Sequence, residues 1–233
     1  SGGFLSERVR YDTPADKSPR EIRPIIQRLR EDFNWNGEPV GCGFPGIIKK
    51  GVVHSAANLG EAWVGYPLQD ELTTLFQREV TCINDADAAG WTEMHLGSGR
   101  ASRDTVLVLT VGTGIGSALF YNRTLVPNME FGHLIVSKGQ GGDFIRAEAW
   151  ASRAVRKREE LSWEEWAERF NHILKAYEFY LSPSLIIIGG GIAKKYDKFA
   201  DYLNLDVEVK AAEWLNHAGI IGAAAFAAQA ASA

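Results

Sequence analysis

The chain has 233 residues, of which 45% are hydrophobic and 23% charged. That composition belongs to a globular protein and excludes a disordered or fibrous one. A net charge of −4 argues against a nucleic-acid partner, whose groove needs a basic face. The two cysteines, Cys42 and Cys82, are too few for a disulfide scaffold or a Cys-rich zinc site and point to a reducing cytoplasm.

No apolar run approaches the ~20 residues of a membrane helix, and no secretory signal is visible at the start. Residues 4–10 alternate apolar and polar and read as a short strand. Ser18 suits an N-cap, with Pro19 at N1 and Glu21 at N3, opening a helix with Ile22, Ile25, Ile26 and Leu29 on one face. Pro24 is placed to kink it. A short apolar segment at 40–43 ends at Pro45-Gly46, and Pro67 starts a second helix. A strand at 80–83 leads into an Ala-rich helix over about 86–96.

Residues 105–111 form a nearly continuous apolar run, as expected of a strand covered on both faces. Glycines at 112–116 turn it back into 117–121, making a hairpin. A flexible loop at 139–142 precedes a helix over about 144–157. Ser162 caps the next, with Glu165 at N3, running to about 181. A buried strand at 185–188 ends in three glycines. A helix, a short strand at 207–209 and an Ala-rich helix from about 220 follow. Strands alternating with helices, with glycines at strand ends, give an α/β fold.

Four segments offer chemistry. Asn84 and Asp85 stand where a strand meets a helix, the usual ligand position in open α/β sheets. Asp85 suits proton abstraction from a substrate hydroxyl and Asn84 a hydrogen bond to a neighbouring one; both also suit an Asx helix cap. Gly112, Thr113, Gly114 and Gly116 form a turn whose N–H groups can approach an anion. It nearly matches G-x-G-x-x-G, but Ser117 fills the sixth position and a strand follows, so a nicotinamide-dependent oxidoreductase is a poor reading. Gly189, Gly190 and Gly191 form either a simple turn or a flat platform for a nucleotide. Glu130 and His133, three apart across Gly132, can hold sugar hydroxyls or begin a metal site for which no partner is visible. The aromatics Trp150, Trp163, Trp166 and Tyr177 read as core. The basic runs at 153–158 and 194–195 read as solvated faces or, less simply, a steering patch for an anionic substrate.

In this order the motifs resemble the ROK family of sugar kinases, and among them its polyphosphate/ATP-dependent glucokinase branch. The matching text is 43–46, 51–58, 84–90, 109–119, 125–134, 188–192 and 218–224. The resemblance implies an actin-like (ribonuclease H-like) two-lobe sugar kinase fold with an interlobe cleft. A small lobe would comprise 1–98 plus 218–233 and a large lobe 99–217. It implies transfer of a phosphoryl group to the 6-hydroxyl of glucose, with mannose a further acceptor, from polyphosphate or ATP with Mg2+. Asp85 resembles the catalytic base, and Asn84, Glu130, His133 and Glu148 the sugar-binding residues. The turn at Gly112 to Gly116 resembles a phosphate loop, and Gly189 to Gly191 the adenosine-side loop. A homodimer in the cytoplasm, with no membrane or nucleic-acid partner, is also implied.

Two departures stand out. The cysteine-rich zinc segment of many family members is absent from 137–145, so no zinc is expected and a DNA-binding repressor is disfavoured. The family's opening strand and Asp-x-Gly-Gly-Thr-type turn, which holds phosphate and helps position magnesium, are missing; a native segment is expected to precede Ser1. The alternatives are an ATP-only ROK kinase for another sugar and a sugar-binding protein impaired by the loss of that turn.

Overall fold

A computed structural model describes residues 6–33, 37–56, 59–139 and 142–232. The chain forms two compact units, one of residues 1–88 with 220–233, the other of residues 89–219. Among the described residues, no helix is long and apolar enough to cross a membrane.

In the first unit, α1 (Pro19–Asp32) starts at Ser18 with Pro19 at N1, although the Ser18 side chain makes no cap hydrogen bond. The strand expected at 4–10 is not formed by residues 6–10, and residues 4 and 5 lie outside the described ones. Strand β1 (Val40–Phe44) is followed by the two-residue strands β2 (Ile48–Lys49) and β3 (Val52–Val53), then α2 (Leu68–Phe76), β4 (Val80–Asn84) and α3 (Asp85–Leu96). β1 and β4 pair in parallel, placing Cys42 opposite Cys82 and Phe44 opposite Asn84. Their core holds Phe44, Trp63, Leu68, Leu72 and Val80. Trp63 buries its ring there and donates its indole N–H to the Lys17 carbonyl at 2.6 Å, as a buried indole requires. The C-terminal helix, Ala218–Ala230, covers β1 closely: a Cβ on Gly41 would fall 1.9 Å from the Ala223 carbonyl oxygen.

The second unit is built on a five-stranded sheet. Its strands are β5 (Val106–Val111), β6 (Ile115–Tyr121), β7 (Thr124–Val126), β10 (Leu185–Gly189) and β11 (Glu208–Ala211), in the order β11-β10-β5-β6-β7. β11, β10 and β5 run parallel, while β6 and β7 return antiparallel. Successive strand residues point to opposite faces, and here both faces are apolar. Leu107, Leu109, Val111, Ile186 and Ile188 face one cluster; Val106, Val108, Leu185 and Ile187 face another with Met94 of α3.

The first cluster is closed by α6 (Trp163–Leu181), whose buried residues Trp166, Phe170, Ile173, Leu174 and Tyr177 recur at helical spacing. Its start is a capping box: Glu165 N–H donates to Ser162 Oγ at 3.1 Å and Ser162 N–H to the Glu165 carboxylate at 2.8 Å. The helix expected over 144–157 is instead a strand and two short helices. β9 (Phe144–Arg146) pairs with β8 (Ile135–Ser137), then come α4 (Ala147–Ala151) and α5 (Arg153–Arg158). Ser152 caps α5, accepting the Val155 N–H on its side chain at 3.3 Å. The helix after the three glycines is 3-10, over Gly190–Lys198, and the C-terminal helix is α7.

A buried carboxylate fastens the far end of this unit. Glu93, 2% exposed, accepts backbone N–H groups of Glu213 and Trp214 at 3.0 and 2.8 Å. Burial raises its pKa, and those N–H groups oppose the shift.

Candidate functional site

The β4–α3 junction carries the first candidates. Asn84, 7% exposed, accepts the Ala86 and Asp87 N–H groups at 2.8 and 3.1 Å on its side-chain oxygen and donates its amide to the Gly46 carbonyl at 3.1 Å. It is the cap of α3, so one amide hydrogen is left for a ligand. The capping falls to Asn84, and Asp85 is left to point elsewhere. The Asp85 side chain is solvent-accessible, yet the surrounding protein displaces enough water to raise its pKa, partly opposed by the N–H groups of Ala86 and Asp85 itself. An accessible carboxylate poised above the ordinary range suits a general base.

The glycine turn lies in the second unit. It is tighter than the sequence suggests, because Gly116 already belongs to β6, opposite Thr110. Gly112 N–H donates to the Gly114 carbonyl at 2.9 Å. Ile115 N–H points at Glu148 Oε2, 3.4 Å away. Thr113 and Gly114 therefore present the turn's N–H groups that have no protein acceptor among the described residues. Gly112 faces open space. Two adjacent N–H groups without a protein acceptor on a glycine-rich turn are the kind of feature that can receive an anion.

Glu148, on α4, links that turn to His133. A Cβ on Gly114 would lie 2.3 Å from Glu148 Oε2, so a larger residue there would push the carboxylate aside. The other oxygen, Oε1, is 3.4 Å from His133 Nε2. His133 closes a 3-10 turn (Phe131–His133) that Glu130 opens, with His133 N–H donating to the Glu130 carbonyl at 3.0 Å. Gly132 packs against β6 so tightly that a Cβ would meet the Ile115 carbonyl oxygen at 1.9 Å. His133 and Glu148 thus meet beside the glycine turn, and Glu130 opens the same 3-10 turn that His133 closes.

Two supports of this cluster escape a sequence reading. Ser117, buried in β6, donates its hydroxyl to the Met129 carbonyl and accepts the Phe131 N–H at 2.9 Å. Tyr177 donates its hydroxyl to the Phe131 carbonyl at 2.7 Å; burial and the nearby Glu148 charge hold its pKa far above that of an ordinary phenol. Together they fix the backbone on both sides of Glu130. A serine among apolar strand residues was the available signal for the first; Tyr177 is also the core residue its helical spacing suggests.

Gly190 has φ +74, and a Cβ would fall 2.7 Å from the Val111 nitrogen. The Gly189 to Gly191 platform therefore abuts the end of β5 where the glycine turn begins. Among the described residues, no group of three or more His, Cys, Asp or Glu is arranged to hold a metal. The 137–145 segment forms the β8–β9 hairpin, with residues 140 and 141 outside the described ones.

Residues 3–143 match the family described as ROK family. A polyphosphate glucokinase of Mycobacterium tuberculosis is 39% identical over 225 residues, spanning 96% of this chain and 82% of that protein. One of Mycobacterium leprae is 38% identical over 224 residues, spanning 96% and 67%. Among solved structures, an inorganic polyphosphate/ATP-glucomannokinase from Arthrobacter sp. strain KM superimposes with a TM-score of 0.89 at 40% identity, over 98% of this chain and 90% of that one.

Proposed function

The chain belongs to the ROK family, with its actin-like two-lobe α/β fold, and on that premise we propose how its residues carry a kinase reaction. It is a phosphotransferase that phosphorylates glucose with polyphosphate or ATP. Mannose is a second acceptor in this reading.

In the proposed step the 6-hydroxyl oxygen of the sugar attacks the terminal phosphorus of the donor. Its proton passes to Asp85. The bond from that phosphorus to the donor's bridging oxygen breaks, and the electron pair leaves on that oxygen. Glu130, His133 and Glu148 hold the sugar's other hydroxyls, and Asn84 contributes its remaining amide hydrogen. The Thr113 and Gly114 N–H groups stabilise charge on the transferring phosphoryl group, which needs positioning and neutralisation rather than covalent help. The Gly189 to Gly191 platform borders the donor.

Mg2+ supplies charge neutralisation when it enters with the donor phosphates. It usually keeps several waters and is held through phosphates and one or two carboxylates. The described residues hold no ready-made set of ligands for it, so no step here is assigned to it.

One observation carries the reading: the Glu148 carboxylate contacts both the anion-type turn, at Ile115 N–H, and His133. Sugar-side and phosphate-side groups are thereby joined through a single side chain. The test is glucose 6-phosphate formation with polyphosphate and with ATP, using wild type and Asp85→Asn. Asp85→Asn is expected to lose about 10²–10⁴-fold in turnover while still binding glucose. Retention of wild-type turnover would refute the base assignment.

A further inference from the structure

Three segments of the second unit meet where β5 ends. Gly190 rests on the Val111 backbone. Ala154 donates its N–H to the Gly112 carbonyl at 3.1 Å. Gly191 lies beneath Arg153, whose Nη1 and Cζ would stand 3.0 and 3.4 Å from a Cβ placed on that glycine. The half-buried Arg153 guanidinium is therefore laid against the glycine platform, on the residue next to the one bonded to the glycine turn.

Its neighbours in the basic run are committed elsewhere. Arg156 stacks over the Trp163 ring at 3.6 Å, and Arg158 pairs with Glu159 at 3.0 Å. Arg153 has no carboxylate at ion-pair distance among the described residues. A guanidinium taken partly out of water without an acid partner is a standing cost. Its planar fork of donors matches the oxygens of a phosphate. Gly191 does not have a positive φ, so its backbone does not require glycine. What a side chain there would disturb is the place taken by the guanidinium.

We infer that Arg153 binds phosphate oxygens of the phosphoryl donor, beside the free N–H groups of Thr113 and Gly114. The inference rests on the donor-side reading of the glycine turn. It gives one member of the 153–158 basic run a ligand, and leaves Arg156 and Arg158 as structural residues.

The test combines calorimetric titration of inorganic tripolyphosphate with steady-state kinetics, on wild type, Arg153→Ala, Arg153→Lys and Gly191→Ala. Arg153→Ala is expected to weaken tripolyphosphate binding and raise the donor KM by about tenfold to a hundredfold, the range of a charge-assisted contact. The glucose KM should stay unchanged. Arg153→Lys should recover part of the loss, because it restores the charge without the fork. Gly191→Ala, which displaces the guanidinium without removing it, should move binding in the same direction by less. Unaltered tripolyphosphate binding in Arg153→Ala, no binding by wild type, or an equal loss of glucose binding would each overturn the inference. Should wild type bind tripolyphosphate through Arg153 yet fail to phosphorylate glucose, the anion site stands and the reading of the reaction falls.

Discussion

Glu148 places one carboxylate oxygen 3.4 Å from His133 Nε2 and the other 3.4 Å from the Ile115 N–H. The same carboxylate thus touches both the glycine turn and His133. Glu148→Gln keeps the shape and removes the charge. It is expected to raise the glucose KM and lower kcat together, with kcat/KM falling about tenfold to a hundredfold. Gly114→Ala should mimic it, because the added methyl occupies the space of Glu148 Oε2. Steady-state kinetics on both variants checks this; a Gly114→Ala enzyme with wild-type constants would contradict the contact.

Asp85 has a raised pKa because protein displaces water around it. The basic form of Asp85 is the one that accepts a proton, so activity should fall as pH drops through that raised value, above the ordinary carboxylate range. The acidic limb of the kcat/KM profile should vanish from the residual activity of Asp85→Asn. Stability moves oppositely. A raised pKa means the folded state holds the proton more firmly than the unfolded chain, so this group stabilises at acid pH and loses that contribution as pH rises to the folded-state pKa. Asp85→Asn should therefore melt no lower than wild type at neutral pH, although it turns over far more slowly. Thermal unfolding at two pH values tests the sign.

Gly190 and Gly112 should separate stability from activity. Gly190→Ala combines a positive φ with a methyl 2.7 Å from the Val111 backbone, so it is expected to cost at least about 1–2 kcal/mol of stability from the backbone conformation alone. Gly112→Ala meets open space and should leave the melting temperature unchanged while raising the donor KM, because the methyl stands where an anion would approach. A large stability loss in Gly112→Ala would contradict the open face.

Ser117 and Tyr177 act on Glu130 and His133 through backbone. Ser117→Ala and Tyr177→Phe each remove hydrogen bonds to the 129–131 segment and should cost about 0.5–1.5 kcal/mol per bond. Each should also raise the glucose KM more than the donor KM. Denaturant unfolding and two-substrate kinetics measure the two effects separately.

The elements that were legible in the sequence are those with a local cause. The 105–111 run and the capping box at Ser162 and Glu165 each leave a signature in adjacent residues. The break at Ser152 did not, because residues 147–158 contain neither glycine nor proline and all tolerate a helix. The interruption comes from tertiary contacts: Ala147 N–H bonds to the Leu134 carbonyl and Ala154 N–H to the Gly112 carbonyl. The same reason hid the place of Glu148. Its distance from Gly114 and His133 depends on how α4 packs, which no spacing encodes. The sequence offers both Asn84 and Asp85 as helix caps, whereas Asn84 takes the cap of α3.

The helix at Ala218–Ala230 supplies the surface that Gly41 needs, and Glu93 waits for the N–H groups of Glu213 and Trp214. Each unit is therefore sealed by a pairing between segments far apart in the chain, so closure of a long loop must precede the packing that rewards it, which makes for slow folding.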